Sequence, residues 1–179
     1  MNTFARIGVA AGLLVLLSIG LAFSGDQIGK DGGPSGAFSY SKDARIAAVQ
    51  KQVKAVVERY QDGLNSSDFG KIRPLFAADA VAEWNEKKTI VGVDAMTKPY
   101  EDLFKAIKFN TDFQYDAVDI YGEVAIVRTH HPVGQTKLFL KDNSKKLDFN
   151  REIFVLRRID GNWKIILYTF NTQPKQGEQ

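Results

Sequence analysis

The chain contains no cysteine, which excludes disulfides, thiol nucleophiles, cysteine-ligated metals and a lipid-modified N-terminal cysteine. It has two histidines, His130 and His131, and they are adjacent. Neighbours on a strand point to opposite faces, so the two cannot share one metal ion, and no helix carries His and carboxylate at ligand spacing. No metal site and no cofactor are therefore expected. No glycine-rich phosphate loop and no Gly-x-Ser-x-Gly elbow occurs. The net charge of +3 comes from Lys and Arg interleaved with Asp and Glu, a solvated surface with no nucleic-acid footprint.

What the chain has is one globular domain's worth of apolar residues, with additions at its ends. Residues 1–24 place Arg6 ahead of the uncharged run IGVAAGLLVLLSIGLAF. This predicts a secretory signal cleaved after Ser24, with the domain exported to the periplasm or outside the cell. An uncleaved N-terminal anchor through residues 7–23, tethering the domain to a membrane, is the alternative. Residues 25–41, rich in glycine and carrying Pro34, form a flexible linker. The folded domain spans 42–174, and 175–179 is a polar tail.

The domain reads as α+β, with three helices followed by an antiparallel meander. Ile46, Val49, Val53, Val56, Tyr60 and Leu64 recur at helical spacing behind Ser41, the expected N-cap. Asp68 opens a second helix reaching Phe76, shortened by Pro74. A third helix starts at Asp94, with Met96, Tyr100, Leu103, Phe104 and Ile107 as its inner stripe. Strands are expected at 79–84, 89–91, 109–120, 123–133 and 135–140, with the charged segment 141–146 as a turn. The run Lys137, Lys141, Lys145 and Lys146, broken by Asp142 and Asp148, reads as a solvated hairpin tip.

The clearest local signal is the closing hairpin, residues 150–171, around Asp160-Gly161. Strict alternation puts Glu152, Phe154 and Leu156 on one face. It also sets Trp163, Ile165, Leu167 and Thr169 against Tyr168 and Phe170. One of those apolar sets would leave the core and offer a surface for a homodimer.

Several of these stretches together resemble the superfamily of nuclear transport factor 2, ketosteroid isomerase and the SnoaL-like polyketide cyclases. They are AVVERYQDGLNSSDFGKIRPLFAADAVAEW at 55–84, GVDAMTKPYEDLF at 92–104 and the hairpin with Trp163-Lys164-Ile165 and Tyr168-Thr169-Phe170-Asn171. The resemblance covers about 43–173. It implies a cone, three N-terminal helices on a curved, mostly antiparallel sheet, enclosing a pocket and often dimeric through the outer sheet face. In the isomerase, a helical tyrosine and a protonated late-strand acid hold the oxyanion, and a carboxylate ending the first strand is the base. Tyr60 and Glu152 fall on the first two positions. Trp84 falls on the base position and takes no proton, while Glu83 should face the other way.

The site candidates are thus Tyr60, Glu152 and His130 for chemistry. Tyr60, Trp84, Tyr100, Phe113, Tyr115, Glu152 and Phe154 would line a pocket for a small apolar molecule. Each aromatic could equally be plain core, and His130 a rim residue. Three functions stay open: a binding protein, a pocket isomerase, cyclase or hydratase, and a non-catalytic dimerisation or interaction module. Two or more titratable groups converging in one cavity would favour the enzyme.

Overall fold

The computed structural model describes residues 38–172. The expected export segment, most of the linker and the polar tail lie outside the described residues. Asp43, not Ser41, caps the first helix, α1 (Ala44–Asn65), accepting from the amides of Arg45 and Ile46. Val53, Val56, Tyr60 and Leu64 are buried as the spacing requires, but Ile46, two turns before Val53, is 44% exposed. Gln50 is buried in that part of the helix, its side chain bonding the Val118 carbonyl at 2.9 Å and the Ser41 amide at 2.8 Å. Residues 38–41 are therefore part of the folded body, and Phe38 packs on its core.

Asp68 caps α2 (Phe69–Ile72), which passes into a 3-10 turn, Arg73–Leu75, where Pro74 ends the α-helical bonding. Gly63 permits this tight corner, since a Cβ there would overlap the buried Ile72 side chain. β1 (Phe76–Glu83) and β2 (Ile90–Val91) follow, and a 3-10 turn leads into α3 (Thr97–Ala106). Ile107 belongs to β3 (Ile107–Lys108) rather than to the helix.

The predicted strand 109–120 begins only at Gln114. Before it, the chain is held by α1 side chains: Gln61 accepts from the Phe113 amide at 2.7 Å, and Asn65 bonds both the amide and the carbonyl of Thr111. β4 (Gln114–Tyr121), β5 (Val124–His130), β6 (Thr136–Phe139), β8 (Asn150–Ile159) and β9 (Asn162–Thr172) match expectation with trimmed ends. The charged segment expected as a turn contains a strand, β7 (Ser144–Leu147), paired with β6. Lys137 and Asp148 leave the solvated tip altogether: Asp148 is 1% exposed and bonds Lys137 at 2.8 Å.

One sheet has the order β2-β1-β9-β8-β5-β4, with β1 and β9 parallel and its other pairs antiparallel; β3-β6-β7 form a second. Asp160 and Gly161 both have positive φ, as their two-residue turn demands. The strict alternation expected of β9 fails. Val155 faces Leu167 while Leu156 faces Ile165, so Ile166 is an extra, bulged residue. The bulge resets the phase, and Trp163, Ile165, Tyr168 and Phe170 all face the helices. Trp163, Ile165 and Tyr168 are buried and Phe170 is partly so. Exposure of Tyr168 and Phe170 therefore supplies no dimer surface. The outer face instead carries Val81, Leu167, Val155 and Ile126 in one row across four strands, beside a 39% exposed Ile153.

Candidate functional site

A cavity of about 170 Å³ lies among the helices and the inner sheet face. Its walls come from α1 (Tyr60, Leu64), α3 (Tyr100, Leu103), the 107–113 segment and β9 (Tyr168, Phe170). Trp84 closes one side at the end of β1, beside Asn85 and Lys87. Glu152, His131, Lys137 and Asn150 supply its polar lining.

Tyr60 and Glu152, paired by sequence argument, both line this cavity. The Tyr60 hydroxyl is 2.8 Å from that of Tyr100, and the rings of Tyr60 and Tyr168 lie 5.1 Å apart. Burial first, then the neighbouring Tyr168, pushes the Tyr60 hydroxyl well above its ordinary pKa, only partly offset by the bond from Tyr100. Burial does the same to Tyr100 and Tyr168, helped by Tyr60 in the first case and by the Glu152 charge in the second. All three hydroxyls stay protonated and can donate.

Glu152 is 2% exposed, and Thr129, its cross-strand neighbour, donates to Oε2 at 2.7 Å. Oε1 lies 2.9 Å from His131 Nε2, off the line of a hydrogen bond, so charge attraction holds that pair. On the other side of the ring, Nδ1 is 3.2 Å from the Asp148 carbonyl and 3.4 Å from its carboxylate. Burial alone would lower the His131 pKa; Asp148 and Glu152 outweigh it and raise it to about 9. Burial would raise Asp148, but His131 and Lys137 outweigh it and hold the carboxyl below its ordinary value. His131, Asp148 and Glu152, all buried, and the partly buried Lys137 therefore form one cluster of paired groups. Among the described residues, no group of three or more His, Asp or Glu has the arrangement to hold a metal ion.

Trp84, Tyr100 and Phe113 also line the cavity. Three candidates do not. His130 lies on the outer sheet face, bonded to Asp116 at 2.9 Å, because the row it shares with Val124, Ile126 and Arg128 turns away from the helices. Tyr115 sits under Lys54, 4.4 Å from its ring centre, and beside Phe38. Phe154 is wholly buried beneath the cavity, its ring within 6 Å of those of Tyr60, Phe113 and Tyr168. Glu83, as expected, faces outward opposite Thr169, leaving Trp84 with no carboxylate behind it.

His131, Asp148, Lys137, Thr111 and Tyr168 were not anticipated. For His131 a signal existed. It continues the row of Ala125, Val127 and Thr129, whose apolar start marks the buried face.

Comparison with known proteins agrees with this architecture. Residues 48–171 match the family model described as putative lumazine-binding. The chain belongs to this family. A ketosteroid isomerase-like protein from Erwinia carotovora atroseptica superposes with a TM-score of 0.65 at 20% identity, over 70% of this chain and 97% of that one. A nuclear transport factor 2-like superfamily protein from Salmonella enterica serovar Typhimurium gives 0.62 at 17% identity, over 73% and 95%. A structure described as a putative aromatic ring hydroxylase, from Novosphingobium aromaticivorans, gives 0.59 at 20% identity, over 70% and 90%. These likenesses establish the nuclear transport factor 2-like fold. None of the curated proteins compared matches the chain.

Proposed function

We propose that this protein binds a small, ring-shaped organic molecule in its cone, outside the cytoplasm, as a homodimer. The observation that carries the reading is the cavity itself: about 170 Å³, with aromatic walls and a few convergent polar groups. An engineered cavity of about 150 Å³ takes up benzene, so the fit is one ring or two small fused rings. The family's description, which names a lumazine, supports a ligand of that kind. Export is supported by Arg6 and the apolar run behind it, and dimerisation by the apolar row Val81, Leu167, Val155 and Ile126.

One measurement tests all three parts. Native mass spectrometry of the protein recovered from the exported fraction should show a dimer, a retained small molecule, and a chain beginning near Gly25. A ligand-free monomer that binds no added lumazine would refute binding and dimerisation. An intact chain found only in soluble cytoplasm would refute export.

A second reading, a proton-transfer enzyme, is favoured by the convergence of Glu152, His131 and Lys137 on one cavity. At neutral pH His131 is charged and acts as an acid, and Glu152, with Oε1 2.9 Å from His131 Nε2, is the group placed to exchange a proton with it. Tyr60→Phe and Glu152→Gln separate the readings. In a binding protein each weakens lumazine affinity about three- to tenfold, the worth of one hydrogen bond. In an enzyme, Glu152→Gln leaves affinity nearly intact and abolishes exchange of solvent deuterium into the bound molecule. Unchanged affinity and exchange in both variants would leave these two residues as core.

A further inference from the structure

Six buried side-chain polar atoms among the described residues have no hydrogen-bond partner in the protein. Three of them, Trp84 Nε1, Thr111 Oγ1 and His131 Nε2, belong to residues that line the one cavity. Thr111 is 3% exposed and His131 5%. A buried polar group left unsatisfied costs about 1–3 kcal/mol, so three around one cavity call for a partner inside it.

The three share a chemical sense. An indole N–H only donates, a threonine hydroxyl can donate, and the His131 ring in its charged form donates from both nitrogens. Its Nδ1 is spent on Asp148, while Nε2 lies off line from Glu152. These donors are also held in place. Asn65 clamps the Thr111 backbone at both its amide (2.7 Å) and its carbonyl (2.9 Å). The Trp84 ring stands edge-on to Tyr100, 4.9 Å between centres.

We infer that Thr111, Trp84 and His131 form a donor edge that selects a planar ligand by hydrogen-bond acceptors on its rim, ring nitrogens or carbonyl oxygens. This rests on the pocket being a binding site, and it makes Thr111 a specificity-determining residue. It adds hydrogen-bond acceptors on one rim to the small apolar molecule expected from the sequence. A hydrocarbon of the right size would fill the aromatic walls, leave the Trp84 and Thr111 donors unanswered, and leave His131 Nε2 with only its off-line contact to Glu152. A ligand with acceptors on one side satisfies them without displacing Glu152 from Thr129.

The test uses two probes of the same fused-ring shape, naphthalene and quinoxaline, the second carrying two ring nitrogens that only accept. Ligand-observed NMR titration of the full chain gives the ratio of their dissociation constants. Thr111→Val, which keeps the shape and removes the hydroxyl, should shift that ratio about fivefold toward naphthalene, the worth of one net hydrogen bond. Trp84→Phe should shift it the same way, and Thr111→Ser, which keeps the hydroxyl, should not. A ratio unchanged in both Thr111→Val and Trp84→Phe overturns the donor edge, with water serving those groups, while naphthalene binding keeps the pocket reading alive. Failure of the wild type to bind either probe or added lumazine overturns the pocket reading itself.

Discussion

Asp148→Ala is expected to lower the free energy of unfolding by about 3–5 kcal/mol, because it leaves the buried His131 and the partly buried Lys137 short of a counter-charge. Asp148 is 1% exposed and sits between His131 Nδ1 and Lys137 Nζ, the latter at 2.8 Å. Urea unfolding across pH tests the charge assignment as well as the size. The His131 pKa is raised from 6.5 to about 9 in the folded protein, so its stabilising contribution is complete below pH 6.5 and is lost as pH rises through 9. That loss is on the order of 3 kcal/mol for a shift of this size. Asp148 is depressed below 3.8, so its contribution is present above that value and is lost as pH falls through the folded pKa. The wild type should thus be most stable between about pH 4 and 6.5. In Asp148→Ala the alkaline decline should move to lower pH, since His131 has lost a group that raised it. A wild-type curve flat from pH 6.5 to 9 would mean that His131 is buried neutral.

Phe154→Ala is expected to cost about 3–5 kcal/mol by leaving a hole under the cavity floor. The ring is wholly buried, 4.9 Å from the centre of Tyr168, 5.3 Å from Tyr60 and 5.8 Å from Phe113. It supports the three aromatic walls without entering the cavity. The thermal midpoint should therefore fall by about six degrees or more, on the usual scale of about 2–8 °C per kcal/mol. Phe154→Leu, which refills most of the space, should recover most of the stability and all of the ligand affinity. If Phe154→Leu loses affinity while keeping stability, the ring touches the ligand directly.

How far the sequence discloses this arrangement depends on how local each signal is. The hairpin turn is legible because Asp160 and Gly161 both adopt positive φ, which few residue pairs tolerate. Tyr60 and Glu152 are legible as cavity neighbours because each belongs to a periodic row whose other members are plainly core. The segment 109–113 misleads. Phe109, Thr111 and Phe113 alternate like a strand, but Asn65 and Gln61 bind its backbone from a helix some 50 positions earlier. β7 is hidden because its four residues are mostly exposed, so no apolar period marks it. The His131–Asp148 pair joins residues 17 apart in the chain through a turn with no motif. The single bulged residue leaves the composition of β9 unchanged and so gives no warning.

That bulge makes the pocket's chemistry a matter of counting. Upstream of Ile166, odd-numbered residues of β9 face the helices; downstream, even-numbered ones do. The bulge absorbs Ile166, so Tyr168 and Phe170 keep the inward phase that Trp163 and Ile165 begin. The same sequence paired without the bulge would turn Leu167 and Thr169 to the helices and both aromatics outward. Deleting Ile166 would straighten the strand and leave the aromatic wall facing inward. The lining of the pocket is thus held by how two strands pair around one residue, whatever that residue is.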